Sequence, residues 1–141
     1  MINLVFEAGD WKQALPKAET LASKALEFVE GELSLVLADD AFIQNLNHQF
    51  RGKDKPTNVL SFPSDDEDGY LGDIIIALET IQREAEQQEK ALSAHFSHLV
   101  IHGALHLMGH DHEEETEAQE MEKKEIELLA KLNIANPYET R

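Results

Sequence analysis

His98-Leu-Val-Ile-His102-Gly-Ala-Leu-His106-Leu-Met-Gly109-His-Asp-His112 is the stretch from which the rest of the chain is read. Leu92, Phe96, Leu99, Val100, Gly103 and Leu107 recur three and four apart, which predicts a helix whose apolar face enters a core. Gly109 supplies the φ-permissive residue at which such a helix ends and the chain turns back. His102 and His106 stand four apart, so they share a helix face with Cβ atoms only ~5–6 Å apart. Both imidazoles can reach one ion at the ~2.0–2.1 Å of a Zn–N bond. The turn at Gly109 can return His112 as a third ligand. His-x3-His-x2-Gly-x2-His has the ligand spacing of the long zinc-protease signature. The glutamate that would follow the first histidine is absent, because Gly103 stands there. This predicts a three-histidine metal site, one zinc per chain, with a fourth position open.

The neighbouring histidines carry less signal. His98 extends the same face, but eight residues of helix span ~12 Å, too far for His98 and His106 to share an ion. His98 is read as a group behind the ligands or as packing, and His95 and His110 as structural or solvent-facing. Asp111 can orient a ligand imidazole through its distal N–H, or cap the following helix.

Upstream, residues 2–7 read as a strand and Leu15–Glu30 as an amphipathic helix with Pro16 in its first turn, closed by Gly31. Leu33, Leu35 and Leu37 alternate as a strand. Asp39 or Asp40 caps a helix expected to bury Phe42, Ile43, Leu46 and Phe50. Asn58–Phe62 and Tyr70–Leu78 are further strands. One long helix is expected from Thr80 to Met108, and a last one over Glu113–Leu132 that buries Met121, Leu128, Leu129 and Leu132. The order predicts an α+β fold: one domain over residues 1–141, with a small mixed four-stranded sheet covered by helices and the metal site at the C-terminal end of a long core helix.

Composition narrows the class. The chain has 141 residues, 42% of them hydrophobic and 28% charged, which suits one globular domain. With no cysteine, disulfides, thiolate nucleophiles and Cys-type zinc sites are excluded. No charge-free apolar run reaches spanning length and the start carries no signal peptide, so a cytoplasmic protein with no membrane partner is expected. The net charge of −16 argues against broad nucleic-acid affinity. It leaves room for a local basic patch, because much of the acid sits in Glu79–Glu89 and Glu113–Glu127, read as solvated faces. Arg51, with Lys53 and Lys55 nearby, is the candidate for holding a phosphate, since a guanidinium pairs bidentately with its oxygens.

Asn45-Leu-Asn47, Phe50-Arg51 and Asp54-Lys-Pro-Thr57-Asn-Val-Leu-Ser-Phe-Pro63 resemble the first signature of the YbeY family, bacterial metal-dependent rRNA-maturation endoribonucleases. Leu71-Gly-Asp-Ile74 resembles the second, and the His98–His112 stretch the third. The resemblance covers essentially the whole chain. It implies a single-strand-specific endoribonuclease with zinc on His102, His106 and His112, and Arg51 as the functional basic residue of the cleft. It further implies 16S rRNA 3′-end processing, small-subunit maturation and ribosome quality control, in contact with ribosomal components. Asn58 departs from the acidic residue expected there. Two other readings stay open: a zinc metallopeptidase-like hydrolase, weakened by Gly103, and a non-catalytic ribosome assembly factor stapled by structural zinc. The acidic helices favour a monomer.

Overall fold

Three leucines, Leu33, Leu35 and Leu37, are fully buried along one face of a strand at the middle of the sheet. In the computed structural model, which describes residues 2–65, 69–110 and 114–138, the elements follow as β1 (Ile2–Phe6), α1 (Trp11–Ala14), α2 (Ala18–Ala25), β2 (Glu32–Ala38), α3 (Asp40–Arg51), β3 (Val59–Pro63), β4 (Tyr70–Ala77), α4 (Leu78–Gln87), α5 (Leu92–Leu107) and α6 (Glu115–Lys131). The strands order as β1-β2-β4-β3, with β1 and β4 parallel to β2 and β3 antiparallel to β4. This is the α+β, mixed four-stranded architecture that the sequence predicts.

Strand alternation divides the core. Leu33, Leu35, Leu37, Ile74 and Ile76 pack with Trp11, the α2 alanines and the apolar face of α5. Leu60, Ile75 and Ala77 face the other way, where Ile43 of α3 meets them. Helix α5 is therefore the central helix of one layer, and α3 covers the opposite face.

Local chemistry accounts for the departures from the sequence reading. The helix expected over Leu15–Glu30 is shortened to Ala18–Ala25, and a separate short helix, Trp11–Ala14, precedes it. Leu15 precedes Pro16 and leaves the helical region at φ −144°, ψ 75°, as pre-proline sterics require. The long helix expected from Thr80 to Met108 is two helices. Glu89 turns left-handed (φ 55°), Lys90 N–H donates to Ala85 O at 2.8 Å and Glu89 N–H to Glu86 O at 3.2 Å. That is the bond pair of a Schellman termination, here formed around a glutamate rather than a glycine. Phe50, expected in the core, is 61% exposed on the last turn of α3 and packs edge-on against Phe62 at 5.5 Å. Phe42 and Leu46 are half-buried beside it.

Two polar ties fix α4. The Asp39 side chain caps α3 by accepting from Phe42 N–H at 2.9 Å. Asp40 accepts from the Thr80 N–H and hydroxyl and from Arg83, while its own N–H donates to Glu79. Burial would raise the Asp40 carboxyl, but these bonds from Thr80 and Arg83 outweigh it and hold it below 3.8. Glu84 accepts from His95 Nε2 at 2.8 Å and from Asn58 Nδ2 at 3.1 Å. Burial would raise its carboxyl too, yet the His95 and Asn58 bonds keep it below 4.5.

Helix and sheet approach closely at Gly103. A Cβ there would lie 2.9 Å from Ile74 Cγ2 and 3.2 Å from Ser61 Oγ. Helix α5 thus rests directly on β4 and β3. Gly103→Ala should destabilise the fold by about 1–2 kcal/mol, because overpacking costs about 1–3 kcal/mol and alanine's helix propensity returns at most about 1. Urea denaturation checks the sign. A second expectation concerns acid. Asp40 and Glu84 are held below their unfolded values, so the stability they contribute is present above about pH 4.5 and is lost as pH falls through the lowered values. Glu84→Gln should flatten part of that acid slope in denaturation midpoints measured between about pH 6 and about pH 3.

Candidate metal centre and cleft

The packing of α5 decides which way its histidines look. Phe96, Val100, Gly103 and Leu107 turn to the core, leaving His95, His98, His102 and His106 in a row along the helix. Their rings meet edge-on in sequence, with centroids 6.4, 6.3 and 4.6 Å apart. His102 Nε2 and His106 Nε2 approach to 3.1 Å. Two nitrogens bound to one zinc at ~2.0–2.1 Å with tetrahedral angles lie ~3.3 Å apart, so the spacing of this pair is compatible with one shared ion. Among the described residues no group of three His, Asp or Glu side chains is arranged to hold an ion. The third expected ligand, His112, lies outside the described residues, as does Asp111.

The lone pair at His102 Nε2 is prepared from behind. His102 Nδ1–H donates to Glu125 Oε1, on α6. A carboxylate on the distal nitrogen fixes the tautomer with its proton on Nδ1 and its lone pair on Nε2. Glu125 is 0% exposed, and burial alone would raise its carboxyl. Hydrogen bonds from His102, His98 and Tyr138 prevail and hold it at about 2, so the group is ionised. Sequence reasoning gave the orienting role to Asp111 as one of two readings and missed Glu125. The available signal was its place in α6: Glu125 is four residues from Met121 and Leu129, both buried, and so stands on the inward face of that helix.

The remaining histidines separate by environment. His95 is buried, and with no partner on Nδ1 among the described residues it carries its proton on Nε2, toward Glu84. His98 Nε2 lies 3.4 Å from Glu125 Oε2, and His98 does not line the cleft. His110 also lines the cleft. Gly109 turns left-handed at φ 98°, and His110 N–H returns to Leu105 O at 3.0 Å, which folds the ring inward.

The cleft has a volume of about 610 Å³ and runs between the end of α5 and the edge strand β3. Arg51, Thr57, Asn58, Ser61, His102, His106 and His110 supply its polar lining. Arg51 reaches it from the last residue of α3, where Gly52 ends the helix left-handed (φ 69°). Lys53 and Lys55 are exposed in the loop beyond and do not line it. No aspartate or glutamate is among the described lining residues. Asn58 is explained by its neighbour. Its amide donates to Glu84 and its Oδ1 accepts from Val59 N–H at 2.7 Å, whereas an acidic side chain would face the Glu84 carboxylate.

The family model for Endoribonuclease YbeY matches residues 5–133. The Endoribonuclease YbeY of Paramagnetospirillum magneticum is 51% identical over 146 residues, covering 91% of this chain and 89% of that protein. That of Alteromonas mediterranea is 47% identical over 133 residues, covering 92% and 80%. The solution structure of TM1509 from Thermotoga maritima superposes with a TM-score of 0.61 at 26% identity, over 99% of this chain and 100% of that one. The chain belongs to the Endoribonuclease YbeY family.

Proposed function

We propose that the protein is a zinc-dependent, single-strand-specific endoribonuclease that cleaves rRNA precursor. Its setting is 16S rRNA 3′-end processing, small-subunit maturation and ribosome quality control in the cytoplasm. The observation that carries the reading is one cleft, free of carboxylates among its described lining residues, which Arg51 lines together with His102 and His106, whose Nε2 atoms approach each other. A chain with a net charge of −16 would repel RNA over most of its surface. Its acid is kept out of the described walls of this cleft, which is where a phosphate must sit. Ribosomal components then supply much of the docking affinity that a small basic patch cannot.

The donor set fits the metal. His102 and His106, with His112 as the expected third ligand, would hold zinc, which when bound supplies a Lewis acid and an acidified water. The protein's own residues do the positioning. Arg51 pairs with the oxygens of the scissile phosphate and stabilises the charge that grows there. Glu125 holds the His102 ring in one tautomer and orientation. The substrate's 2′-OH is available as nucleophile, so no carboxylate base is required beside the metal. That requirement tells against a peptidase: the glutamate of such enzymes would stand at Gly103, where even a Cβ meets Ile74 at 2.9 Å. His98 is likewise unsuited to close a structural zinc site, since its Nε2 is turned to Glu125 and Tyr138.

Cleavage of a labelled single-stranded RNA tests the proposal with protein as isolated, chelator-stripped and zinc-restored. Activity should vanish on stripping, return with zinc and be absent from His106→Ala. Arg51→Ala should lose about 10²–10³-fold in turnover, the usual cost of removing one charge-stabilising donor. Unchanged turnover in Arg51→Ala removes Arg51 from the mechanism. Activity indifferent to chelator and to His106→Ala belongs to a contaminating nuclease and overturns the assignment.

A further inference from the structure

The last described residues of the chain form a strap rather than a loose end. Helix α6 stops in a Schellman motif: Asn133 turns left-handed (φ 62°), its N–H donates to Ala130 O at 3.0 Å, and Ile134 N–H donates to Leu129 O at 3.0 Å. Ile134 then packs on the main core. Asn136 accepts from Tyr138 N–H through its side chain at 2.8 Å, an Asx turn that sets the direction of Tyr138. The Tyr138 ring lies edge-on to His98 at 5.6 Å, and its hydroxyl donates to Glu125 Oε2. Three local devices are thus spent on delivering one hydroxyl to one buried carboxylate.

That carboxylate is the one that orients His102. Glu125 is sealed from water, and its described partners are His102 on Oε1 and, on Oε2, Tyr138 and the longer contact from His98 at 3.4 Å. His98 has no partner on Nδ1 among the described residues, so its proton sits on Nε2, directed at Glu125 and the Tyr138 oxygen at 3.3 Å. A desolvated carboxylate needs its donors, and one that loses a donor shifts toward those that remain. Without the tyrosine hydroxyl, Oε2 keeps only the long His98 contact, and the whole group is free to rotate away from His102 Nδ1.

We infer that Tyr138 is a positioning residue of the metal centre: through Glu125 the C-terminal strap sets the orientation of His102 and hence the tightness with which the site holds zinc. This rests on the metal reading of His102 and His106 given above. The wiring makes the strap part of the site although Tyr138 does not line the cleft.

Zinc affinity by competition with a chelating indicator tests it, on the full chain as wild type, Tyr138→Phe and Glu125→Gln. Glu125→Gln should weaken zinc by about 10–100-fold, the usual effect of removing a partner behind a ligand histidine. Tyr138→Phe should weaken it by about tenfold, at the lower end of that range. Side-chain ¹⁵N NMR of the metal-free proteins supplies a readout that general destabilisation does not mimic. His102 should carry its proton on Nδ1 in wild type, and Tyr138→Phe and Glu125→Gln should each mix the two tautomers. Tyr138→Phe with wild-type zinc affinity, or with an unchanged His102 signal, overturns the inference whatever its melting temperature. Wild-type protein that takes up no zinc overturns the metal reading itself, and the two failures are told apart in the first titration.

Discussion

Helix α5 lies directly against the sheet. At Gly103 its backbone sits so close to Ile74 and Ser61 that a single added carbon would collide with both. The contact fixes the rotation of the helix about its axis, because only the glycine face can go down. With that face down, His102 and His106 come up beside β3, and the end of α5 meets the wall that Thr57, Asn58 and Ser61 form. Arg51 arrives from the opposite layer of the sheet, carried by α3 to the same rim. A pair of histidines and a guanidinium from elements on two faces of the sheet therefore line one cleft because one residue lacks a side chain.

A similar constraint operates at Gly72 in the neighbouring strand. Its φ of 138° is a conformation that side chains rarely adopt, and a Cβ would lie 2.2 Å from Phe62 O. The register between β2 and β4 skips Leu71 at this place, so β4 carries a bulge against β2 beside the residue that pairs with Pro63 of β3. The two glycines lie on adjoining elements under the floor of the cleft. Close backbone approach is what both provide, and it brings β3 within reach of the last turns of α5.

Much of this was legible in the residues. The i, i+4 histidines, the glycine two turns on and the alternating leucines have periods that local geometry imposes, so helix face, turn and strand could be read directly. What escaped was governed by tertiary context. Glu89 looked like one more solvated helix residue, and nothing in its side chain announces a left-handed turn; the break comes from the backbone bonds to Ala85 and Glu86. Phe50 fits the apolar stripe of α3 but falls past the edge of the sheet, where there is little to cover it beyond Phe62. Glu125 stood in an acidic run whose ordinary meaning is solvent, and only the packing of α6 on α5 shows that this one carboxylate points inward.

The placement of charge follows a single logic. A chain with 28 acidic residues must put most of them in water, and helices α4 and α6 take many of them. Among the described residues, the partly buried Asp40 and Glu84 and the fully buried Glu125 are each matched to donors: Asp40 to Thr80 and Arg83, Glu84 to Asn58 and His95, Glu125 to His102, His98 and Tyr138. A buried carboxylate left with an unmatched oxygen would cost more than its pairing returns, so each one makes the surrounding geometry specific. In two of the three pairings the donor is a histidine of α5 or a side chain at the start of β3. The acids that would repel an anionic substrate on the surface are, in the interior, what hold the walls of its cleft in place. Negative charge outside and behind the site, with histidine and arginine in front of it, is the arrangement by which so acidic a chain can still offer a phosphate a favourable seat.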